Sequence, residues 1–281
     1  MRKAYVKNNQ IALYGIMLRE VLIMYIIISV SIIVSAYMIY NQMENMSRIY
    51  SCALDGIVVW CTSSMLNLGL LPVIISVFLH MHYDIYMRNV CVIKQKSRTG
   101  MWFNEQKLSL IICSVAFTWS MILSFVLAYI MNKGNIYANV SDDLFFTNTY
   151  YGIMLNQCTD IQAGQETLIP AINIVWVIIR VWLINMLQLY MVVMAADVIY
   201  WLSGKRLFST IILSAMCMIT AIFPKSRRYA YVLGIKVKAY SYYLEVLNIN
   251  VWLKHIFIML VIILLTNVVM SFVVKNKDMV M

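Results

Sequence analysis

The stretch HMHYDIYMRNVCVIKQKSRTGMWFNEQK, from His80 to Lys107, decides how this chain is read. It sets Arg88, Lys94, Lys96, Arg98 and Lys107 against only Asp84 and Glu105, between two long apolar runs. Lys and Arg concentrate in the cytoplasmic loops of membrane proteins, so a mostly basic interruption of this kind reads as such a loop. Working outward, Ile57–Leu79 precedes it and Leu108–Met131 follows it. Each is long enough to cross a hydrocarbon core of about 30 Å, which takes about 20 helical residues. Pro72 lies inside the first of these runs and removes one helical hydrogen bond, which predicts a kink.

Composition supports the membrane reading. The 281 residues are 63% hydrophobic and 12% charged, with a mean hydropathy of +0.79. A soluble domain has about 45–50% apolar and about 25% charged residues. A chain this apolar cannot cover a surface with polar groups, so lipid is the solvent for much of it. In lipid the backbone must satisfy itself, and long apolar runs do so as helices. The expected fold class is therefore all-α: a polytopic membrane helix bundle with about six transmembrane spans, residues 1–281 forming one transmembrane domain. The net charge of +10 sits between apolar runs, which fits the inside bias of Lys and Arg rather than a nucleic-acid footprint. The six cysteines show no CxxC spacing and read as buried free thiols, although Cys52 and Cys158 both fall in expected outer loops.

The remaining segments fit this frame in order. Residues 1–20 carry Arg2, Lys3, Lys7 and Arg19, with Ile11, Tyr14, Leu18 and Val21 at helical spacing. They read as an interfacial helix, or equally as a cytoplasmic tail running into the first span. The apolar run that follows the basic N-terminus is long enough to stay as an anchor. Val21–Tyr40 is that first span and Asn41–Asp55 an outer loop. Residues 132–167 hold Asp142, Asp143, Asp160 and Glu166 against Lys133 alone and read as an outer loop. Leu168–Leu202 is overlong, about 52 Å as a helix, so part of it must project, tilt or lie in the interface. Pro170 is placed to start it. Ser203–Arg206 is a tight basic turn, Leu207–Phe223 a marginal fifth span, His255–Val274 the sixth, and Lys275–Met281 an inner tail.

Residues 224–254 resist the layout. They carry Lys225, Arg227, Arg228, Lys236, Lys238 and Lys254 against Glu245, yet six spans put them outside. A five-span layout with Leu207–Phe223 re-entrant puts them inside and obeys the charge rule better. Six spans are preferred because the rule is statistical and an outer basic segment can rest on headgroups or on the acidic 132–167 loop.

Three groups of residues are candidates for chemistry. His80, His82 and Asp84 include metal-ligand and acid–base side chains. On a helix only His80 and Asp84 share a face, so polar residues marking the membrane boundary is the preferred reading. Arg180 and Asp197 are ionisable groups within an apolar run, costly in lipid and therefore functional by default. Arg180 either faces the bundle near mid-depth or anchors the outer surface, the second being favoured by the length of its segment. Asp197 is expected to neighbour Lys205 or Arg206. Asn67, Asn173, Asn185, Gln188 and Asn267 are expected to bond between helices. The third group is the opening loop, where Tyr83, Tyr86, Val90 and Ile93 form an apolar stripe and Gly100 offers a helix stop. Trp102 and Phe103 are expected at the membrane interface.

No nucleotide pocket is visible. Ser203-Gly204-Lys205 resembles the end of a phosphate loop, but Ile199 stands where its first glycine belongs. No HExxH or GxSxG occurs. Asn45-Met-Ser47 and Asn139-Val-Ser141 match the glycosylation triplet at a frequency chance supplies.

With its basic N-terminus, its apolar runs and the Arg88…Ser97-Arg98…Trp102…Lys107 loop, the layout resembles the permease subunit of a type-2 ATP-binding-cassette transporter, an exporter-like family. The resemblance covers most of the chain by layout and only this loop by residues. It implies a coupling helix between spans two and three that docks on a cytoplasmic ATPase subunit. Asp84, Arg88, Lys94, Arg98 and Trp102 would be the coupling residues. It also implies a second permease subunit, a substrate path between the two, and short re-entrant helices between spans five and six. No cofactor and no nucleic-acid partner are expected, ATP being hydrolysed on the partner. The localisation implied is the cell membrane, multi-pass, with the N-terminus in the cytoplasm. The alternative is a non-transporting membrane sensor or immunity protein that binds a ligand through its outer loops, which the basic 224–254 segment favours. A membrane enzyme built on His80, His82 and Asp84 is a third class.

Overall fold

The computed structural model describes residues 19–37, 53–57, 65–88, 98–131, 174–222, 229–232, 235–238 and 249–276. Its helices are α1 (Arg19–Tyr37), α2 (Leu71–Arg88), α3 (Arg98–Met131), α4 (Ile174–Ser203), α5 (Arg206–Ile222) and α6 (Ile249–Asn276). A short turn of helix at Ala53–Asp55 and a π-helical segment at Met65–Leu70 precede α2. A hairpin of β1 (Tyr229–Val232) and β2 (Ile235–Lys238) lies between α5 and α6. The fold is an all-α membrane helix bundle carrying this one small ribbon. Among the described residues, α1, α3, α4 and α6 are long and apolar enough to cross a membrane.

The helices alternate in direction, as particular contacts show. Glu20 and Met24 from the start of α1 share a cleft with His82 of α2 and Leu108 of α3. His80 of α2 meets Asp197 of α4, and Ser209 at the start of α5 donates to the Ala196 carbonyl. Trp102 at the start of α3 meets Asn267 late in α6. One end of the bundle therefore gathers Arg19, Arg88, Arg98, Lys107, Lys205, Arg206 and Lys275, and is its basic end. At the other end, Gly56 packs on Ser124 and Ala128 of α3. There Trp252 of α6 also donates to the Arg180 carbonyl of α4 at 3.2 Å.

α4 is the hub. It touches α2, α3, α5 and α6, and every residue from Ile184 to Val198 is buried. α3 presents a buried row of small residues, Ser109, Cys113, Ala116, Ser120, Ser124 and Ala128, which lets neighbouring helices approach closely. A Cβ on Gly56 would stand 2.3 Å from the Ser124 carbonyl oxygen, so only glycine fits that approach. α1 lies outside α3, held by the Trp119 indole N–H on Ser29 Oγ at 3.0 Å and an edge-on Tyr25–Trp119 contact. Its outer face, Leu22, Ile26, Val30 and Ile33, is exposed, as a lipid-facing surface must be.

Several boundaries depart from the expectations. α3 begins at Arg98 rather than Leu108, and α2 runs on to Arg88, so most of the His80–Lys107 interruption is helix. Only residues 89–97 between them lie outside the described residues. Gly100 sits inside the first turn of α3 and stops nothing. The irregularity expected at Pro72 takes the form of a change of winding, π through Leu70 and α from Leu71, where the proline withholds its N–H. α4 starts at Ile174 and is about 45 Å long. α5 has 17 residues, the length expected of a marginal span. The turn after α4 is tight because Gly204 adopts φ +67° and its N–H closes on the Tyr200 carbonyl at 2.8 Å. The phosphate-loop fragment is thus a helix stop. Within residues 224–254 the structure has a β-hairpin where short helices were expected. Residues 1–18, 38–52 and 132–173, including Cys52, Cys158, Pro170 and Asn173, lie outside the described residues.

Candidate functional site

The basic end holds a buried polar cluster inside an otherwise apolar bundle. His80 and Asp197 are fully buried, and His80 Nε2 lies 3.1 Å from Asp197 Oδ1. Gln106 donates through Nε2 to Asp197 Oδ2 at 3.1 Å, and Ser109 Oγ donates to the same oxygen at 2.9 Å. The outer layer points the same way. Tyr190 OH donates to Gln106 Oε1 at 3.0 Å, and Tyr83 OH lies 2.8 Å from Ser109 Oγ and 3.2 Å from the Glu105 carbonyl oxygen. Tyr190 through Gln106, Tyr83 through Ser109, and His80 directly thus form three hydrogen-bonded routes to one carboxyl group. Such convergence gives both carboxyl oxygens of Asp197 hydrogen-bond partners inside the bundle.

Helical spacing explains the assembly. His80 and Tyr83 are three apart on α2, Glu105, Gln106 and Ser109 share the first turns of α3, and Tyr190 and Asp197 are two turns apart on α4. His80, Gln106, Ser109, Tyr190 and Asp197 thus meet at a level common to all three helices. Tyr200 stacks on the His80 ring with centroids 4.6 Å apart and planes 15° apart. Glu105 is buried beside Trp201, whose indole N–H donates to Oε2, and Trp201 meets Trp102 edge-on. The Trp102 N–H in turn donates to Asn267 Oδ1 at 2.9 Å, which brings α6 into the same layer. His80 Nδ1 and Glu105 Oε1 are buried without a hydrogen-bond partner in the structure.

The sequence candidates divide accordingly. Asp197 does not sit beside Lys205, which is exposed; it is the acceptor at the centre of the cluster. His80 pairs with Asp197, across 117 positions, and not with Asp84. His82 faces a separate cleft with Met24, Phe78 and Leu108, so the two histidines do not converge. Among the described residues no group of three or more His, Cys, Asp or Glu side chains could hold a metal ion. Arg180 lies near the opposite end of α4, about 25 Å from Asp197 along the helix. Its guanidinium carbon is 6.0 Å from the Trp252 ring centroid. Arg180 and Asp197 are therefore not paired with each other.

The five coupling candidates also separate. Trp102 is fully buried, so its side chain is not offered to a soluble partner. Arg98 is exposed as the first residue of α3. Asp84 and Arg88 lie in the last turns of α2, their side chains outside the described residues, as is Lys94 altogether. Tyr83 is core rather than part of a docking stripe. The expected interhelical amides are present: Asn67 donates to Asn185 Oδ1 at 3.1 Å, and Asn267 accepts from Trp102.

Glu105, Gln106, Ser109 and Tyr190 were not readable as site residues. Their one signal is the i, i+4 spacing of Glu105 and Ser109, which acquires meaning only once α3 is known to begin at Arg98. No protein-family model, curated protein or solved structure matches this chain.

Proposed function

We propose that the chain is the membrane-spanning permease subunit of an ATP-driven transporter. It would belong to the type-2 ATP-binding-cassette class and export a hydrophobic or amphipathic substrate such as a peptide or lipid-like molecule. ATP would be hydrolysed on a cytoplasmic partner, and a second permease subunit would complete the path. In this reading α1 to α6 are six spans in the cell membrane, the basic end and the N-terminus face the cytoplasm, and residues 89–97 are the point of docking. The observation that carries it is mechanical. The helices flanking residues 89–97 reach the basic end unbroken, and both are bonded there to α4 through Asp197. A push on that short link would reach the hub helix through three hydrogen bonds rather than dissipate in a loose loop. An apolar furrow of about 730 Å³ between α1 and α3, lined by Leu22, Tyr25, Val115 and Trp119, supports an apolar substrate.

The test is co-purification in mild detergent. Arg88→Glu with Arg98→Glu should leave the chain inserted and folded while an ATPase subunit no longer accompanies it. An ATPase retained by the double variant, or none accompanying the unaltered chain, would refute the docking role.

A further inference from the structure

The furrow between α1 and α3 is apolar along its walls and basic at one end. Val21, Leu22 and Tyr25 of α1 face Ser114, Val115 and Trp119 of α3 across about 730 Å³. The polar groups of α3 along it already bond within the protein. Ser114 Oγ donates to the Leu110 carbonyl at 2.8 Å, and Thr118 Oγ1 donates to the Ser114 carbonyl at 2.7 Å. Thr118 Oγ1 also accepts from the Trp182 N–H at 2.9 Å, and the Trp119 N–H is on Ser29 Oγ at 3.0 Å. An extended peptide would place backbone groups here without partners, whereas a hydrocarbon chain needs none. From Ser114 to Ile122 the furrow runs about 12 Å along α3, within one leaflet of a hydrocarbon core about 30 Å thick.

Two cations stand at its basic end. Lys107 precedes Ser114 by a heptad, so the two lie on one face of α3 to within about 20°. Lys107 is exposed, about 10 Å nearer the basic end than Ser114. Phe103, one turn earlier and also exposed, continues the same stripe. Arg19, exposed, is the first residue of α1. Glu20 and Val21 share a cleft with Leu108 and Ile112, which brings Arg19 to the level of Lys107. The acids nearby do not line the furrow: Glu20 opens on that other cleft, with His82, and Glu105 is buried beside Trp201.

We propose that the furrow and these two cations form a binding site for an anionic, phosphate-headed lipid of the leaflet at the basic end. One chain of the lipid lies along the furrow, and its phosphate is held by Arg19 and Lys107. Basic residues between spans recognise anionic head groups through such charge complementarity. The cations select an anionic lipid over a zwitterionic one, and the furrow selects a lipid over a soluble phosphate. The site requires that α1 and α3 cross the bilayer, not that the chain be a transporter.

The full chain, purified in mild detergent without a partner, is tested by native mass spectrometry against phosphatidylglycerol and phosphatidylcholine carrying the same chains. Phosphatidylglycerol should bind about tenfold more tightly, since each Lys or Arg near an anionic head group contributes about fivefold. Arg19→Gln with Lys107→Gln should abolish most of that preference, and Arg19→Lys with Lys107→Arg should restore it. Lys205→Gln, at the same end but away from the furrow, should leave it unchanged. Val115→Trp fills the furrow from an exposed position and should weaken the binding of both lipids. Equal binding of the two lipids by the unaltered chain, or a preference unchanged in the Gln pair, would overturn the site. Undiminished binding by Val115→Trp would leave surface charge alone and overturn the part of the furrow. Displacement of the lipid by excess inorganic phosphate would overturn the choice of a lipid.

Discussion

Replacing Asp197 by Asn turns one of the two oxygens on which His80, Gln106 and Ser109 converge into an NH2 group while keeping the shape of the side chain. Interhelical hydrogen bonds in membrane proteins contribute about 0.6 kcal/mol on average and up to about 1.7 kcal/mol each. The amide keeps one acceptor oxygen, so one or two of the bonds from His80, Gln106 and Ser109 are lost and Asp197→Asn should cost about 1–3 kcal/mol. His80→Gln breaks only one of the three bonds and should cost about 1–2 kcal/mol. If the two side chains act on each other, the double variant loses less than the sum of the singles, by about 1–2 kcal/mol. Reversible unfolding in mixed micelles, followed by tryptophan fluorescence, measures all three. The exposed Lys205, changed to Gln, serves as a control expected to stay within about 0.5 kcal/mol. Additivity within about 0.5 kcal/mol would refute the coupling, and an Asp197→Asn cost below about 1 kcal/mol would refute its central place.

Other perturbations test separate parts of the fold. Gly56→Val must push the Ala53–Ile57 segment off α3, where the Ser124 carbonyl leaves no room, and should cost about 1–3 kcal/mol in the same unfolding assay. Gly204→Ala meets no atom within 4 Å, so its cost is that of the left-handed backbone alone, about 1–2 kcal/mol, and Gly204→Asn should recover part of it. Trp102→Phe loses the hydrogen bond to Asn267, about 0.6–1.7 kcal/mol, without changing association with a soluble partner, because Trp102 is buried. Loss of partner association in a stably folded Trp102→Phe protein would place that side chain at a docking surface after all.

The membrane character and most helices were legible because they rest on length and apolarity, which a single sequence carries openly. That parts of the His80–Lys107 interruption are buried was not legible, for a physical reason. Tyr83, Glu105, Gln106 and Ser109 are polar whether they meet water or one another, and hydropathy does not distinguish the two cases. Burial of Glu105 depends on Trp201, 96 positions away, and burial of His80 depends on Asp197, 117 positions away. Both halves of the central pair drew notice separately, His80 as part of a boundary cluster and Asp197 as a costly charge in an apolar run. Joining them requires the relative height of α2 and α4, which residues 89–173 set only through how the helices pack. The hairpin at Tyr229–Lys238 was hidden by its context, a basic segment read for its charge rather than for the alternation of apolar and polar residues along it.

The account rests on the basic end lying in the cytoplasm, with residues 89–97 open to a partner there. The direct measurement is labelling of a single thiol, Lys96→Cys in a chain otherwise free of cysteine, with a membrane-impermeant reagent. Protection in intact cells and full labelling once the membrane is opened is the predicted result. Labelling in intact cells would put the link outside, where no ATPase can reach it, and would contradict the account.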